Sequence, residues 1–163
     1  MAIVSGDLRF HLTGGAANAD PALSLGGVIS SVQLTDATLE NLFDNVSPAD
    51  ALAGATHYRA LSFKNASAET AYGAVVFISQ ETTSPDTTVE IAYDATGTQS
   101  VVDEDTAPTG LSFSTPLSLS AGIALGDIAA GGVARIWFKR ITNAGAAQAS
   151  DSGKITITVG SAP

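Results

Sequence analysis

The chain contains no cysteine among its 163 residues. This absence excludes disulfide bonds, thiolate metal sites and cysteine nucleophiles, and it favours assembly in a reducing compartment. Charged residues are also scarce, at 14%, whereas the surface of a free monomer is usually about a quarter to a third charged. A surface poor in lysine and glutamate suits contact with other protein. The composition therefore favours an obligate assembly over a weakly charged monomer.

Two further absences concern membranes and nucleic acid. No apolar run approaches the roughly 20 residues that span a bilayer, and the start, MAIVSGDLRF, lacks the basic region and apolar core of a signal peptide. Seven Lys and Arg residues oppose 16 Asp and Glu residues, which gives a net charge of −9. A phosphate-binding protein needs more basic residues than this. The sequence predicts a soluble, unexported protein whose partner is neither a membrane nor a nucleic acid.

What the chain does contain is a series of short alternating runs that are typical of β-strands. Residues 7–13 alternate cleanly, and residues 28–34 do so more weakly. After residue 56, turn residues at hairpin spacing separate three further runs, which are 57–65, 72–80 and 87–94. The middle run has four consecutive apolar residues and is predicted to be a central strand buried on both faces. The third run is predicted to have one solvent-exposed face.

The stretch GDIAAGGVARIWFKR, residues 126–140, joins a glycine-broken turn at 126–132 to a strand that carries the only tryptophan, Trp137. Residues 111–119 alternate around Pro116, which predicts an edge strand or a bulge. Ile155, Ile157 and Val159 give the last run its inward face. About eight or nine strands with no long helix between them predict an all-β chain folded as an antiparallel sandwich.

The first 50 residues differ in character from the rest. Residues 16–27 show neither period and are predicted to form a loop or an extended arm. Asp36 can cap a short helix that contains Leu39, Leu42 and Phe43, and Ser47 before Pro48 can start another. We expect residues 1–50 to form an N-terminal arm, with one or two strands and a short helix, that packs on or is exchanged with a neighbouring subunit. Residues 51–163 are expected to form the β-sandwich.

The candidate chemical groups favour structural roles. His11 and His57 lie in alternating strands without a nearby nucleophile, so we interpret both as solvated or hydrogen-bonded histidines and not as ligands or catalysts. The acidic residues 103–105, with Asp94 as a further candidate, form either a calcium site or a solvated loop or salt bridge to a neighbouring subunit, and they lack the order of a calcium loop. No residue is assigned a catalytic, cofactor-binding or metal-binding role. Glycines that fit neither GxGxxG nor the phosphate loop are interpreted as turns, namely Gly14, Gly15, Gly26 and Gly27.

Trp137 has two interpretations. It shares a strand face with Arg135 and Lys139, which would suit a carbohydrate platform or a subunit contact. The alternative is a tryptophan packed inside the sandwich between the two sheets. We favour burial, because several other aromatic residues are available to pack and no second exposed aromatic is evident.

Two segments go beyond a generic sandwich. The first runs over residues 7–65 and contains DLRFHLTGG, SLGGVISS, NLFDNVS and AGATHYRALSFKN. The second runs over residues 72–159 and contains VVFISQETTSPDTTVEIAYD, DEDTAPTGLSFSTP and LGDIAAGGVARIWFKRITNAGAAQASDSGKITITV. Together they resemble a recurring small virion structural protein of tailed bacteriophages.

This resemblance implies a capsid decoration (cement) protein with an immunoglobulin-like β-sandwich. It further implies no enzymatic activity, binding to the major capsid protein or other virion proteins, and a homo-oligomer, with a trimer favoured. The protein would be assembled in the host cytoplasm and located on the capsid surface of the virion. A neck, tail or baseplate component is the first alternative, and a carbohydrate-binding module for host attachment through Trp137 is the second.

Overall fold

The computed structural model describes residues 3–36, 41–145 and 152–160. In these ranges the chain forms eight strands, one short α-helix and three turns of 3-10 helix. The strands are β1 (Leu8–Thr13), β2 (Ile29–Gln33), β3 (Ala55–Asn65), β4 (Ala71–Gln80), β5 (Thr87–Asp94), β6 (Ile123–Ile128), β7 (Val133–Thr142) and β8 (Lys154–Gly160). The helix is α1 (Pro48–Ala53), and the 3-10 turns are Ser5–Asp7, Pro21–Leu23 and Leu119–Ala121.

The strands form two antiparallel sheets that pack as a sandwich. The five-stranded sheet has the order β2-β1-β3-β7-β5, and the three-stranded sheet has the order β6-β4-β8. The longest ladder joins β3 to β7, with Ala55 opposite Thr142 and Lys64 opposite Val133. Every pairing within the sheets is antiparallel. The predicted antiparallel sandwich is therefore confirmed.

The main core lies between the sheets and follows the period of two that the sequence shows. Alternate residues of β3 and β7 point inward, among them Leu61, Phe63, Ile136 and Phe138, which are at most 3% exposed. The opposite layer supplies apolar residues of β4 and partly buried ones of β8. The inward face predicted for β8 is confirmed, and the alternating apolar residues of β1 and β7 also face the core.

The first 50 residues take part in the same sheet as the later strands. β1 pairs with β3 from Leu8 opposite Asn65 to His11 opposite Ser62, and β2 pairs with β1. The division expected at residue 50 falls inside α1. Exchange of β1 and β2 with a neighbouring subunit stays a prediction.

The helical connectors are only partly as expected. Ser47 caps α1 by accepting a hydrogen bond from the Asp50 N–H (3.1 Å), Pro48 occupies its first turn, and Gly54 ends it at a φ of 80°. The helix predicted after Asp36 extends into residues 37–40, which lie outside the described ranges, and the described Leu42 and Phe43 form a bend.

Several strand predictions need correction, among them those for β4, for residues 111–119 and for the turn at 126–132. β4 is central in the three-stranded sheet, but Val75 and Phe77 on its outer face are only half-buried, because in the described ranges no further sheet covers that face. Residues 111–119 form no edge strand, since Ser114 makes a single bridge to Ile91 and Pro116 lacks a backbone donor. The turn predicted at 126–132 begins later, because β6 continues to Ile128.

Candidate functional site

The outer face of the five-stranded sheet, which faces away from the sandwich core, carries the tryptophan. Trp137 is fully buried there in a second apolar cluster with Tyr58, Ala60 and Ala92. Residues that pack onto this cluster come from the loop after β5, namely Val101, Leu111 and Phe113. The predicted burial of Trp137 is confirmed, but the predicted place between the sheets is wrong. With no exposed ring face, Trp137 offers no platform for a sugar.

Two loops cover this face and bond to each other. One joins β1 to β2, and the other follows β5. Gly26 bridges to Ser100, the Gly27 N–H donates to the Gln99 carbonyl (3.0 Å), and the Val101 N–H donates to the Leu25 carbonyl (3.0 Å). Gly26 has a φ of 91°, and a Cβ there would collide with the Gln99 carbonyl oxygen and the Trp137 ring. This position therefore requires glycine.

A buried polar centre fixes the first loop to β3. Ser24 is 0% exposed, its hydroxyl donates to the Ala60 carbonyl, and its carbonyl accepts from the Ala60 N–H (2.7 Å). The Ser24 hydroxyl also accepts from the Thr13 N–H (2.9 Å). The Thr13 hydroxyl in turn accepts from the Gly26 N–H (2.9 Å). These bonds satisfy buried backbone groups that the end of β1 leaves unpaired along β3.

The same loops build an apolar concave surface, which we call the loop surface. It encloses about 440 Å³ and includes no charged residue; it is lined by Gly14, Gly15, Leu23, Leu25, Gly26, Gly27, Val28, Ser100 and Val101. Leu23 is 58% exposed and Val28 is 63% exposed. Two large apolar side chains held open to solvent on an anchored loop are typical of a protein contact.

Charged residues of β7 are held by partners on the outer face. The Lys139 ammonium donates to Glu90 at 2.9 Å. The Arg135 guanidinium donates to the Ser62 hydroxyl (3.1 Å) and the Gly27 carbonyl (2.6 Å). Burial lowers the pKa of Arg135, and the nearby Asp94 carboxylate partly opposes that effect. These cations anchor the fold and the loops, so they are not a free basic patch.

A second charged group lies near the start of β3 and the end of β7, beside Lys139 in the register but on the inner face. Arg59 is 1% exposed and pairs with Glu104. Arg140 donates to the Asp44 carbonyl and, at 2.9 Å, to His57 Nδ1. Both guanidiniums lie over the Phe43 ring, at 5.6 and 4.9 Å from its centroid. This group clamps residues 43–44 and 104 onto the end of the sandwich.

Both histidines are buried and bonded within the fold. His11 Nδ1 lies 3.0 Å from the Ser30 carbonyl oxygen, to which it donates. His57 Nδ1 accepts from Arg140, because a guanidinium only donates. Its Nε2 lies 3.4 Å from Asp105. The interpretation of both as hydrogen-bonded strand histidines is confirmed.

The acidic residues do not assemble as the calcium interpretation required. Asp94 accepts from the backbone N–H groups of the turn that follows it, at 2.9–3.1 Å, whereas Glu104 and Asp105 face Arg59 and His57. Asp103 accepts from the Thr106 hydroxyl at 2.6 Å. Within the described ranges no three His, Asp or Glu side chains come together as metal ligands.

The loop surface was only partly foreseeable. The glycine pairs at 14–15 and 26–27 bracket it, and their positive φ values confirm the predicted turns. Leu23 lies in the stretch without a period, residues 16–27, where apolar side chains have no core face to enter, and Val28 directly follows that stretch at the start of the weakly alternating run 28–34. That combination is the signal for an exposed contact, but the contribution of residues 100–101 has no local signal because it depends on long-range pairing.

Known proteins offer no match from which a function could be inferred. No family model matches the chain, and no curated protein or solved structure matches it either. Within the described ranges, no helix has the length and apolar character needed to cross a membrane.

Proposed function

We propose that this protein is a non-enzymatic structural component of a tailed-phage virion, which binds and stabilises the capsid shell as a decoration protein. The observation that carries the proposal is the loop surface, an uncharged concave patch on which Leu23 and Val28 are more than half exposed. Its occupant in the proposal is the major capsid protein. The resemblance of residues 7–65 and 72–159 to small virion proteins supports the same conclusion.

The strand order supports an immunoglobulin-like sandwich as part of this proposal. Constant-type immunoglobulin domains place strands A-B-E-D in one sheet and C-F-G in the other. Here β1-β3-β7-β5 follows the A-B-E-D order, and β4 paired with β8 corresponds to C and F. β2 and β6 are additions at the sheet edges. Such sandwiches are scaffolds whose function depends on surface sites.

The anchoring of the loop surface suits a binding site. Contacts on a rigid loop lose less conformational entropy on binding than contacts on a mobile one. Ser24, Thr13 and Gly26 fix this loop to the sheet beneath it. Leu23 and Val28, which face the partner, are therefore preorganised largely by the fully buried Ser24 and Thr13, which lie beneath the loop surface.

Shell binding by point variants tests the proposal. Leu23→Asp and Val28→Asp add a buried charge to the proposed contact, and we expect each to weaken binding to empty capsid shells by at least about tenfold, or roughly 1.4 kcal/mol. Leu52→Asp is the matched control, because Leu52 is 79% exposed on α1, outside the loop surface. Unchanged binding of both loop variants, with circular dichroism spectra like that of the wild type, would reject the loop surface as the contact.

The neck, tail and baseplate alternative is distinguished by location. A decoration protein has a high copy number over the whole shell, whereas a neck or tail component has few copies at one vertex or along the tail. A particle reconstruction that places this chain only at the neck, tail or baseplate would reject decoration while leaving a virion role intact. The assembly that the resemblance implies is a homo-oligomer, with a trimer favoured.

A further inference from the structure

The free edge of β8 is the least protected sheet edge in the described part of the chain. The backbone of β8 pairs with β4 and, in those ranges, with no other segment. Other edges are covered or interrupted. Ser114 exchanges two backbone bonds with Ile91 on β5 (2.8 and 3.0 Å), and the Ile78 N–H at the end of β4 donates to the Pro116 carbonyl (2.8 Å).

The remaining edges are poor acceptors for another strand. β6 has an irregular register with β4 around Gly126, where φ is 78°, and it carries Asp127. β2 is only five residues long. Bulges, charges and short length are the usual protections of an edge strand. β8 has seven residues, and its only charged residue is Lys154, at its first position.

The composition of β8 favours strand addition. Residues 155–159 are five consecutive β-branched residues, which fit a pleated surface and include neither proline nor an acidic residue. Ile155, Ile157 and Val159 pack against the main core, yet each stays partly exposed. A strand added beside β8 would extend the sheet and cover the open side of this apolar row.

The position of β8 in the sandwich leads to the same conclusion. It corresponds to strand F, which in immunoglobulin domains lies between strands C and G. In the described part of this chain β4 occupies the place of C, and nothing occupies the place of G.

We propose that β8 pairs edge to edge with β8 of a second copy of this chain, antiparallel and centred on Ile157. This register places Thr156 opposite Thr158 of the second copy, Ile155 opposite Val159 and Lys154 opposite Gly160. Both apolar rows then lie on the same face, and the two three-stranded sheets become one sheet of six strands.

Charge selects β8 as the place where two copies can approach each other. The chain carries a net charge of −9, so two copies repel each other over most of their surfaces. β8 contains no acidic residue, and in the proposed register its lysine faces glycine and not another lysine. Unpaired N–H and C=O groups of the two identical edges satisfy each other.

Two variants matched in position test the register. Thr156→Lys with Thr158→Lys places lysine opposite lysine twice across the twofold axis, and we expect the dimer to weaken by about tenfold. Thr156→Lys with Thr158→Glu places lysine opposite glutamate instead, and its dimer should persist. Both variants lose the same hydrogen bond from Thr156 to the Ser79 hydroxyl (2.7 Å), so their difference isolates the cross-strand charges.

Sedimentation equilibrium at several concentrations gives the masses, and circular dichroism checks that each variant is folded. A dimeric wild type, a weakened lysine–lysine variant and a dimeric lysine–glutamate variant support the proposal. A monomeric wild type overturns the proposal, and so do equal dimer dissociation constants for the two variants. A wild-type trimer that both variants leave intact also overturns it, since that assembly uses another surface.

Amide hydrogen exchange supplies a second measurement if the lysine–lysine variant does not fold. In the wild type, the amides of β8 that point away from β4 should exchange more slowly as concentration rises, whereas those bonded to β4 should not change. Exchange of the outward amides that is independent of concentration overturns the pairing.

Discussion

The two faces of the five-stranded sheet are both buried, but by different means. The inner face meets a second sheet through apolar residues such as Ile136 and Phe138. The outer face meets two loops, and around Trp137 these loops are held by polar contacts from Ser24 and Arg135. A sheet supplies a regular apolar surface, whereas a loop must have its backbone groups satisfied one by one.

This difference shows how the loop surface is positioned on the sandwich. The inner face determines whether the chain folds, because it contains most of the buried apolar area. The outer face determines whether the loop surface has its shape, because Gly26 and Ser24 connect the loop backbone to the sheet. Stability and binding are therefore predicted to respond to different substitutions.

Phe138→Ala should have the largest effect. Phe138 is 1% exposed within the main core, so its truncation removes buried apolar area and leaves a cavity. We expect the free energy of unfolding to fall by about 3–5 kcal/mol. Urea unfolding followed by circular dichroism measures it, and the native emission of Trp137 should keep the wild-type maximum. A loss below about 1 kcal/mol would contradict the placing of Phe138 in a close-packed core.

Gly26→Ala should have a smaller effect on stability but a specific effect on the outer face. The added Cβ collides with the Gln99 carbonyl and the Trp137 ring, so the loop must shift. We expect a loss of about 1–3 kcal/mol and a red-shifted, more readily quenched Trp137 emission. Gly97→Ala is the control, since Gly97 also has a positive φ, 65°, but its Cβ would meet no atom within 4 Å. Emission unchanged in Gly26→Ala would show that the loop does not cover Trp137.

Much of the inner face could be predicted from the sequence, because alternation is a local property. Ile136 and Phe138 on β7 lie where their period places them, and so do Ile155 and Ile157 on β8. The same period predicted a solvent-exposed face for β5, and this is wrong at Ala92, which is 0% exposed. The residues that cover it, Val101 and Phe113 among others, follow β5 in a loop whose path no periodicity encodes.

The site was less predictable than the fold for a related reason. Arg135 and Trp137 alternate with apolar residues, a pattern typical of a solvated face, and only long-range pairing of the two loops buries them. Arg59 and Arg140 point toward the inner face, where a period of two places apolar residues. Their partners, Phe43 and Glu104, are distant in sequence, so the cationic group at that end had no local signal.

The smallest expected effect concerns how stability depends on acid pH. This dependence distinguishes the outer face of the sheet from the inner one. Burial alone raises the pKa of Asp94, but hydrogen bonds from the Thr96 hydroxyl and from the backbone N–H groups of Thr96, Gly97 and Gln99 outweigh it. The pKa of Asp94 is therefore lower in the folded chain than in the unfolded one. Its contribution to stability is complete above the unfolded value, about 3.9 for an aspartate. That contribution is lost as the pH falls through the folded value.

Asp94→Asn should flatten this part of the acid response, since the amide does not titrate. We expect the free energy of unfolding of the wild type to fall more steeply than that of the variant as the pH drops below about 4. Asp36→Asn, at a side chain 79% exposed, is the control. Because neither phenylalanine nor alanine titrates, Phe138→Ala should lower the whole pH profile without changing its slope. Parallel profiles for wild type and Asp94→Asn would mean that the Asp94 turn does not stabilise the outer face through its charge.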